Sequence, residues 1–482
     1  MELAFEKSQL QYWQQMLSQM NEMELTQEVK LPSEMPDLGN IMGAWGQVLI
    51  RGKEWRSGGI GITGGVMCWV MYIPEEENKP RVVEAWLPFQ AQLELPEHDR
   101  EGQICVNPAL RLVDARGIGA GKIMVRACVN LQVKAGAITE ADWYHPPATD
   151  PDIQLLKKTY SLQMPCEAGE KAFTLDEEFS LEGAMAEKLL YYCLRPVITE
   201  KKVMAGKLVF RGSAMVNGLY EAAEGLRSFQ MDIPFAQYAE LEKEHDADAI
   251  AMLYPAVTGL ELELTGENAV HMKAGMVGQY IICDRQEITA VPDAYSTGRN
   301  LQMHSHTLQL PNVKEGRKET IFAQFSPKDS GRLLDALFYM DHPKSHRHPD
   351  GIEHQLCGKY QLLRCDSNGN IQSETGKWEQ ALKATEDEEL FVSAAGYAEA
   401  AGIELMMDSV SMEPVEIVSV ASLTLTEKEK TQAQRPSLIL RKKGEDSLWQ
   451  VAKQTGSTVE RIMQANGLDA EPPADKMLLI PV

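Results

Sequence analysis

Leu438-Ile-Leu-Arg-Lys-Lys-Gly-Glu-Asp-Ser-Leu-Trp-Gln-Val-Ala-Lys453, Thr458-Val-Glu-Arg-Ile-Met-Gln-Ala-Asn-Gly-Leu468 and Met477-Leu-Leu-Ile-Pro-Val482 close the chain. Their pattern is a short strand, two short helices and a final strand. Leu438 and Leu440 alternate as strand residues do. Leu448, Val451 and Ala452 recur at helical spacing, and so do Val459, Ile462 and Met463. Gly456 and Gly467 stand where helices stop, and Ser457 with Glu460 has the spacing of a capping box opening the second helix. Leu479-Ile480-Pro481 ends the unit as an edge strand would.

Upstream, the first 425 residues repeat a β pattern about three times. Gly46-Gln-Val-Leu-Ile-Arg-Gly52 returns as Gly206-Lys-Leu-Val-Phe-Arg-Gly212. Trp69-Val-Met-Tyr72 corresponds to Asn217-Gly-Leu-Tyr220. Trp86-Leu-Pro-Phe-Gln-Ala-Gln-Leu-Glu-Leu95 matches Asp232-Ile-Pro-Phe-Ala-Gln-Tyr-Ala-Glu-Leu241. A diverged third copy runs through Lys359-Tyr-Gln-Leu-Leu-Arg-Cys365, the turn Asp366-Ser-Asn-Gly-Asn370 and Trp378. Alternating runs at 123–133 and 415–425 read as half-buried strands. Each module is expected to be a β-sandwich or mostly antiparallel sheet of roughly 120 residues. Helices are expected only at Gln9–Met23 and Gly331–Tyr339. The expected modules are 1–140 with an N-terminal helix, 152–287 and a divergent 288–425. A polar linker at 426–436 then leads into the unit at 437–482, with a Pro-rich joint at Tyr144–Pro151.

Composition narrows the function classes. A chain of 482 residues with 44% hydrophobic and 24% charged residues is globular and multidomain. A net charge of -23 opposes nucleic acid and anionic lipid. The eight cysteines lack any C-x-x-C pair, and Cys68 and Cys128 sit in strand patterns as buried free thiols would. The first residues show no secretory signal pattern, and no apolar run is long enough for a membrane span.

The C-terminal strand-helix-helix-strand unit resembles a LysM module, a family that binds N-acetylglucosamine polymers or protein partners. The family opening Gly-Asp-Thr-Leu-Trp reads here Gly444-Glu445-Asp446-Ser447-Leu448-Trp449, one residue longer, which adds a carboxylate. The resemblance places a ligand groove at Gly444, Glu445, Asp446, Ser447 and Leu448, with Asn466, Gly467 and Leu468 opposite. Asp446 and Ser447 are equally readable as helix caps. Trp449 is either a groove anchor or a packing residue of a domain too small to spare one. With the repeats and Val291-Pro-Asp-Ala-Tyr-Ser-Thr297, the whole chain resembles the SPOCS-plus-LysM spore coat morphogenetic proteins of the SipL type. That resemblance implies a mother-cell cytoplasmic protein at the forespore surface, whose LysM unit docks on the coat basement-layer ATPase.

Signs of catalysis are weak. His342, His346, His348, His354 and Cys357 cluster in sequence without a standard zinc spacing, so a solvated loop is expected rather than a metal site. Gly117-Ile-Gly-Ala-Gly-Lys122 lacks the spacing of a phosphate loop and reads as a hairpin turn. No hydrolase motif is visible. The expectation is a mainly β, non-enzymatic assembly protein with no cofactor, no metal and no catalytic residue, which bridges the coat ATPase and other coat proteins. The alternative is a cell-wall protein whose LysM unit grips peptidoglycan glycan.

Overall fold

The computed structural model describes the chain apart from residues 1, 57, 77–78, 97–100, 120, 147–150, 267, 329–330, 350, 367–369, 385–387 and 428–436. Strands dominate. After β1 (Glu2–Ala4) come β2 (Glu6–Lys30), β3 (Asn40–Arg56), β4 (Gly59–Ile73), β5 (Arg81–Glu94), β6 (Gln103–Gly119) and β7 (Lys122–His145). These are followed by β8 (Ile153–Ser180), β9 (Ala186–Met204), β10 (Lys207–Ala222), β11 (Gly225–Glu240), β12 (Ile250–Leu264) and β13 (Ala269–Ser296). Next are β14 (Arg299–Gln324), β15 (Arg332–Met340), β16 (Lys344–His348), β17 (Gly351–Cys365), β18 (Ile371–Ala384), β19 (Glu388–Ala394) and β20 (Gly402–Glu427).

One pairing scheme recurs three times. A long strand leads into a three-stranded meander, a fifth strand follows, and a sixth returns between the first and fifth. It gives sheets β2-β7-β6 and β3-β4-β5, then β8-β13-β12 and β9-β10-β11, then β14-β20-β19 and β15-β17-β18. All pairs are antiparallel. In each set the meander faces the other sheet across its own apolar core, as the alternating burial of β5 shows. The third set adds β16 along β17, and β1 pairs with β20, so the chain's first residues join the last sheet. β13 runs unbroken through residues 287 and 288, where the sequence places a module boundary.

Both expected helices are strands. Gln9–Met23 lies in β2, paired with β7 along its length, and Trp13 is 2% exposed. The Ile123–Val133 run offers a ladder that a lone amphipathic pattern cannot outweigh. The period-two spacing of Met23, Leu25 and Val29, all packed on the first core, is the visible strand signal. Gly331–Tyr339 falls on β15, where Leu333 to Tyr339 pairs with β17 and is covered from both sides.

The register also revises one repeat match. Gly46–Gly52 lies on β3, the first meander strand, whereas Gly206–Gly212 starts at the turn into β10, the middle one. The structural counterpart of Gly206–Gly212 is Gly58–Gly64. Gly58 and Gly206 both take positive φ, at 79° and 76°, and their carbonyls accept from Leu95 N at 3.1 Å and Leu241 N at 2.9 Å. The rings of Phe89 and Phe235 lie where a Cβ on Gly64 or Gly212 would stand. The other matches coincide in structure. Tyr72 and Tyr220 end the middle strands, and their hydroxyls donate to Pro36 O and Glu182 O at 3.0 and 3.1 Å.

The three sets meet through their first meander strands, β3, β9 and β15. Each carries a bulge at the same place, at Ile41/Gly43, Leu219/Tyr220 opposite β9, and Leu333/Asp335. Trp45 stacks on Tyr191 with centroids 4.5 Å apart, and the Tyr191 hydroxyl donates to Asp335, so one chain of contacts touches all three sets. Fifth strands close a ring: β12 packs on β3, β6 on β15, and Tyr397 beyond β19 donates to Met231 O at 2.6 Å.

Among the described residues no helix is long and apolar enough to cross a membrane. All eight cysteines are free thiols, and burial pushes Cys68, Cys105 and Cys193 up to about 12. Gly119 pairs with Lys122 across the tight β6–β7 hairpin, so the glycine-rich run is a turn. Of the expected joint at Tyr144–Pro151 and tether at 426–436, residues 147–150 and 428–436 lie outside the described residues, while Tyr144 and His145 end β7 and residues 426–427 end β20.

Candidate functional site

The final unit is β21 (Leu438–Lys442), α1 (Leu448–Thr455), α2 (Val459–Asn466) and β22 (Met477–Pro481), with β21 and β22 antiparallel. Its core is Leu448, Val451, Ala452, Ile462, Leu478 and Ile480, too few side chains for a robust domain without outside support. Ser447 caps α1 in a full capping box with Gln450. Gly456 and Gly467 stop the helices in the left-handed conformation, at φ 71° and 59°. At α2 the cap is Thr458, whose hydroxyl accepts from Arg461 N at 3.2 Å. Ser457, expected there, is fully buried and donates to Pro481 O instead. The reason is position: Ser457 follows the Schellman turn at Gly456 and faces β22.

The two loops expected to form a groove do meet. Gly444 N donates to Ala474 O at 2.9 Å, and Leu448 N donates to Glu471 Oε1 at 3.0 Å. Lys443 pairs with the same carboxylate at 3.3 Å. Several expected site residues are structurally committed. Asp446 holds Arg441 at 2.6 Å, and Leu448 is 3% exposed. The Asn466 amide donates to Ile462 O and Leu479 O at 2.7 and 2.6 Å and accepts from Leu479 N at 2.8 Å, tying α2 to β22. Leu468 N bonds Met463 O, and Leu468 packs on the unit's core. Glu445 and Gly467 are exposed, with Gly444 half-buried between the loops. Glu445 has no ion-pair partner among the described residues, so it leaves a free carboxylate at the rim.

Trp449 packs both on its own unit's core and on the end of β13. Its ring meets Tyr295 edge-on with centroids 4.8 Å apart, and Nε1 donates to Asp293 Oδ2 at 2.7 Å. Lys453 reaches the other oxygen of Asp293 at 2.6 Å, and the Tyr295 hydroxyl donates to Ser457 O at 2.9 Å. Tyr295, 5% exposed, belongs to the small unit's apolar cluster. The end of β13 thus seats α1. Sequence reading singled out the Val291–Thr297 phrase without this role, because a surface acid and an aromatic acquire a partner only through the fold. Asp293, Tyr295, Lys453 and Glu471 were the residues missed.

The histidines are dispersed. His342 is buried against Asn107 O at 2.9 Å, and burial pulls its pKa down. His346 and His348 are exposed on β16, while the buried His354 meets Ser345 Oγ at 2.9 Å. No group of three or more His, Cys, Asp and Glu suited to a metal occurs among the described residues.

A ring of paired antiparallel sheets carrying a compact βααβ unit defines a repeat-built β protein with a small C-terminal domain. Two family models match: "SipL, SPOCS domain" over residues 186–265, and "LysM domain" over residues 442–481. The chain carries a SipL-type SPOCS domain and a C-terminal LysM domain, the SPOCS match running from the first residue of β9 to the end of β12. Both are non-catalytic domain families, and the pair fits a sporulation protein of the spore coat with a peptidoglycan-binding-type domain. No curated protein matches the chain.

Proposed function

We propose that the protein is a non-enzymatic coat assembly factor working in the mother-cell cytoplasm at the forespore surface. In this reading the three strand sets are three SPOCS modules, of which the second is the least diverged. They form a body that holds the LysM domain for docking on the coat basement-layer ATPase. The observation that supports the reading is the seat on Asp293 and Tyr295, which fixes one face of α1 to the body. A bridge needs such an arrangement, because a partner bound at the groove is then mechanically coupled to the modules.

The test is capture of the purified ATPase by the full chain and by a chain ending at residue 427. Binding by the full chain alone supports the reading; equal binding by both defeats it. A second reading rests on the LysM match itself. Co-sedimentation of the full chain with purified peptidoglycan, weakened by Glu445→Ala, would favour a glycan ligand at the same groove.

A further inference from the structure

A cavity of about 590 Å³ opens where the three strand sets meet, within the usual size range of a small-molecule site. Its wall includes Gln47 on β3, Arg195 on β9 and Tyr339 on β15. These three occupy equivalent positions. Gln47 opposes Met67, Arg195 opposes Met215 and Tyr339 opposes Lys359, each four residues past the bulged site at Gly43, Tyr191 and Asp335. The threefold repetition is an internal control: the fold accepts a neutral amide and a phenol where the second set has a guanidinium.

That guanidinium is incompletely satisfied. Arg195 Nη2 donates to Gly396 O at 3.1 Å, while Nε is sealed from solvent with no hydrogen-bond partner. No carboxylate pairs with Arg195 among the described residues. Of the acids in the wall, Asp341 is taken by Arg111 at 2.8 Å and by Asn130 at 3.0 Å, and Glu200 reaches Arg211 at 3.5 Å. Asp408 acts on Lys201, which lines the same cavity with its ammonium 5.8 Å from the Phe391 ring centroid. Glu315 is exposed. Burial draws both Arg195 and Lys201 below their ordinary ranges, the direction expected of cations short of counter-charge. A sheltered cation without a counter-charge is costly, a cost that the uncharged residues at the equivalent positions avoid. Val48, Leu194, Leu253 and Leu337 give the wall apolar stretches, set between polar residues such as Asn107, Thr199, Lys202 and Lys318.

We infer that this junction cavity is a binding site for a small organic oxyanion, its charged group held by Arg195 and its apolar body against the β3, β9, β12 and β15 walls. Contact with all three sets makes the ligand a lock on the ring. The probes are octanoate, which has both features, and inorganic phosphate, which has only the charge, titrated into the full-length protein by calorimetry and thermal melting. Octanoate is expected to bind at one saturable site and raise the melting temperature, more tightly than phosphate. Arg195→Gln, which copies Gln47, is expected to weaken octanoate at least tenfold while melting no lower than wild type without ligand. Should that variant fail to fold, Ser393→Phe, which fills the cavity from β19, must abolish binding. Absence of saturable octanoate binding to wild type, undiminished binding to Arg195→Gln, or undiminished binding to Ser393→Phe each overturns the inference.

Discussion

Replacing Asp335 by asparagine is expected to stabilise the protein at neutral and alkaline pH and to do little near pH 4. Asp335 is 4% exposed, accepts from the Tyr191 hydroxyl on one oxygen and has no hydrogen-bond partner for the other. Burial pushes its carboxyl from 3.8 up to about 7. Below the unfolded value both states hold the proton and nothing is lost. Between about 4 and 7 the unfolded chain is ionised while the folded one is not, so stability falls as pH rises; above about 7 the penalty is constant. At 1.36 kcal/mol per pKa unit the full penalty is about 4 kcal/mol as an upper bound, of which about 2 kcal/mol accrues between pH 5 and pH 7. Asparagine keeps an acceptor for Tyr191 and has no charge to bury. Urea unfolding of both proteins at pH 5 and pH 8, followed by tryptophan fluorescence, isolates the difference, since every other titrating group is common to both. The stability gap should widen by more than ~1.5 kcal/mol toward pH 8. Parallel pH profiles would refute the assignment of a neutral carboxyl to the junction.

Asp293→Ala removes the acceptor of both Trp449 Nε1 and Lys453; charge-assisted bonds of this kind are worth ~1.5–3 kcal/mol. Amide exchange in residues 437–482 should therefore accelerate while β8–β13 is unchanged, and no acceleration would mean that the seat is not supporting the domain. Asn466→Ala strands the backbone groups of Ile462 and Leu479 and should lower the LysM domain's stability by ~2–3 kcal/mol, read by its melting within the full chain. Ala205, at φ 45°, precedes Gly206 in the two-residue β9–β10 turn, so Ala205→Asn should raise stability by ~0.5–1 kcal/mol in urea unfolding.

The LysM domain was legible because its code is local. Two helical periods, two glycine stops and two flanking strands all lie within 45 residues, and each stop is a backbone requirement that only certain residues meet. Misplacement of the α2 cap by one residue reflects two adjacent hydroxyls, Ser457 and Thr458, that local sequence cannot rank. The repeats were legible where they carry structural duties, as Tyr72 and Tyr220 do. They were misleading at Gly46–Gly52, where a seven-residue likeness joins strands of different rank. β2 and β15 were misread because their partners, β7 and β17, lie over a hundred and about twenty residues away respectively.

By itself the sequence determined the strand-rich class, the tandem β pattern and the C-terminal recognition domain, since period, turn residues and caps act between neighbours along the chain. Tertiary structure alone decided that Trp449 meets a seat made by Asp293 and Tyr295, that Asn466 ties α2 to β22, and that Gln47, Arg195 and Tyr339 stand around one cavity. Those outcomes depend on which strands pair and in what register. Pairing energy is spread over ladders whose two sides lie far apart in the chain, as in Glu6 with His145, and no short stretch of the chain contains both sides of them.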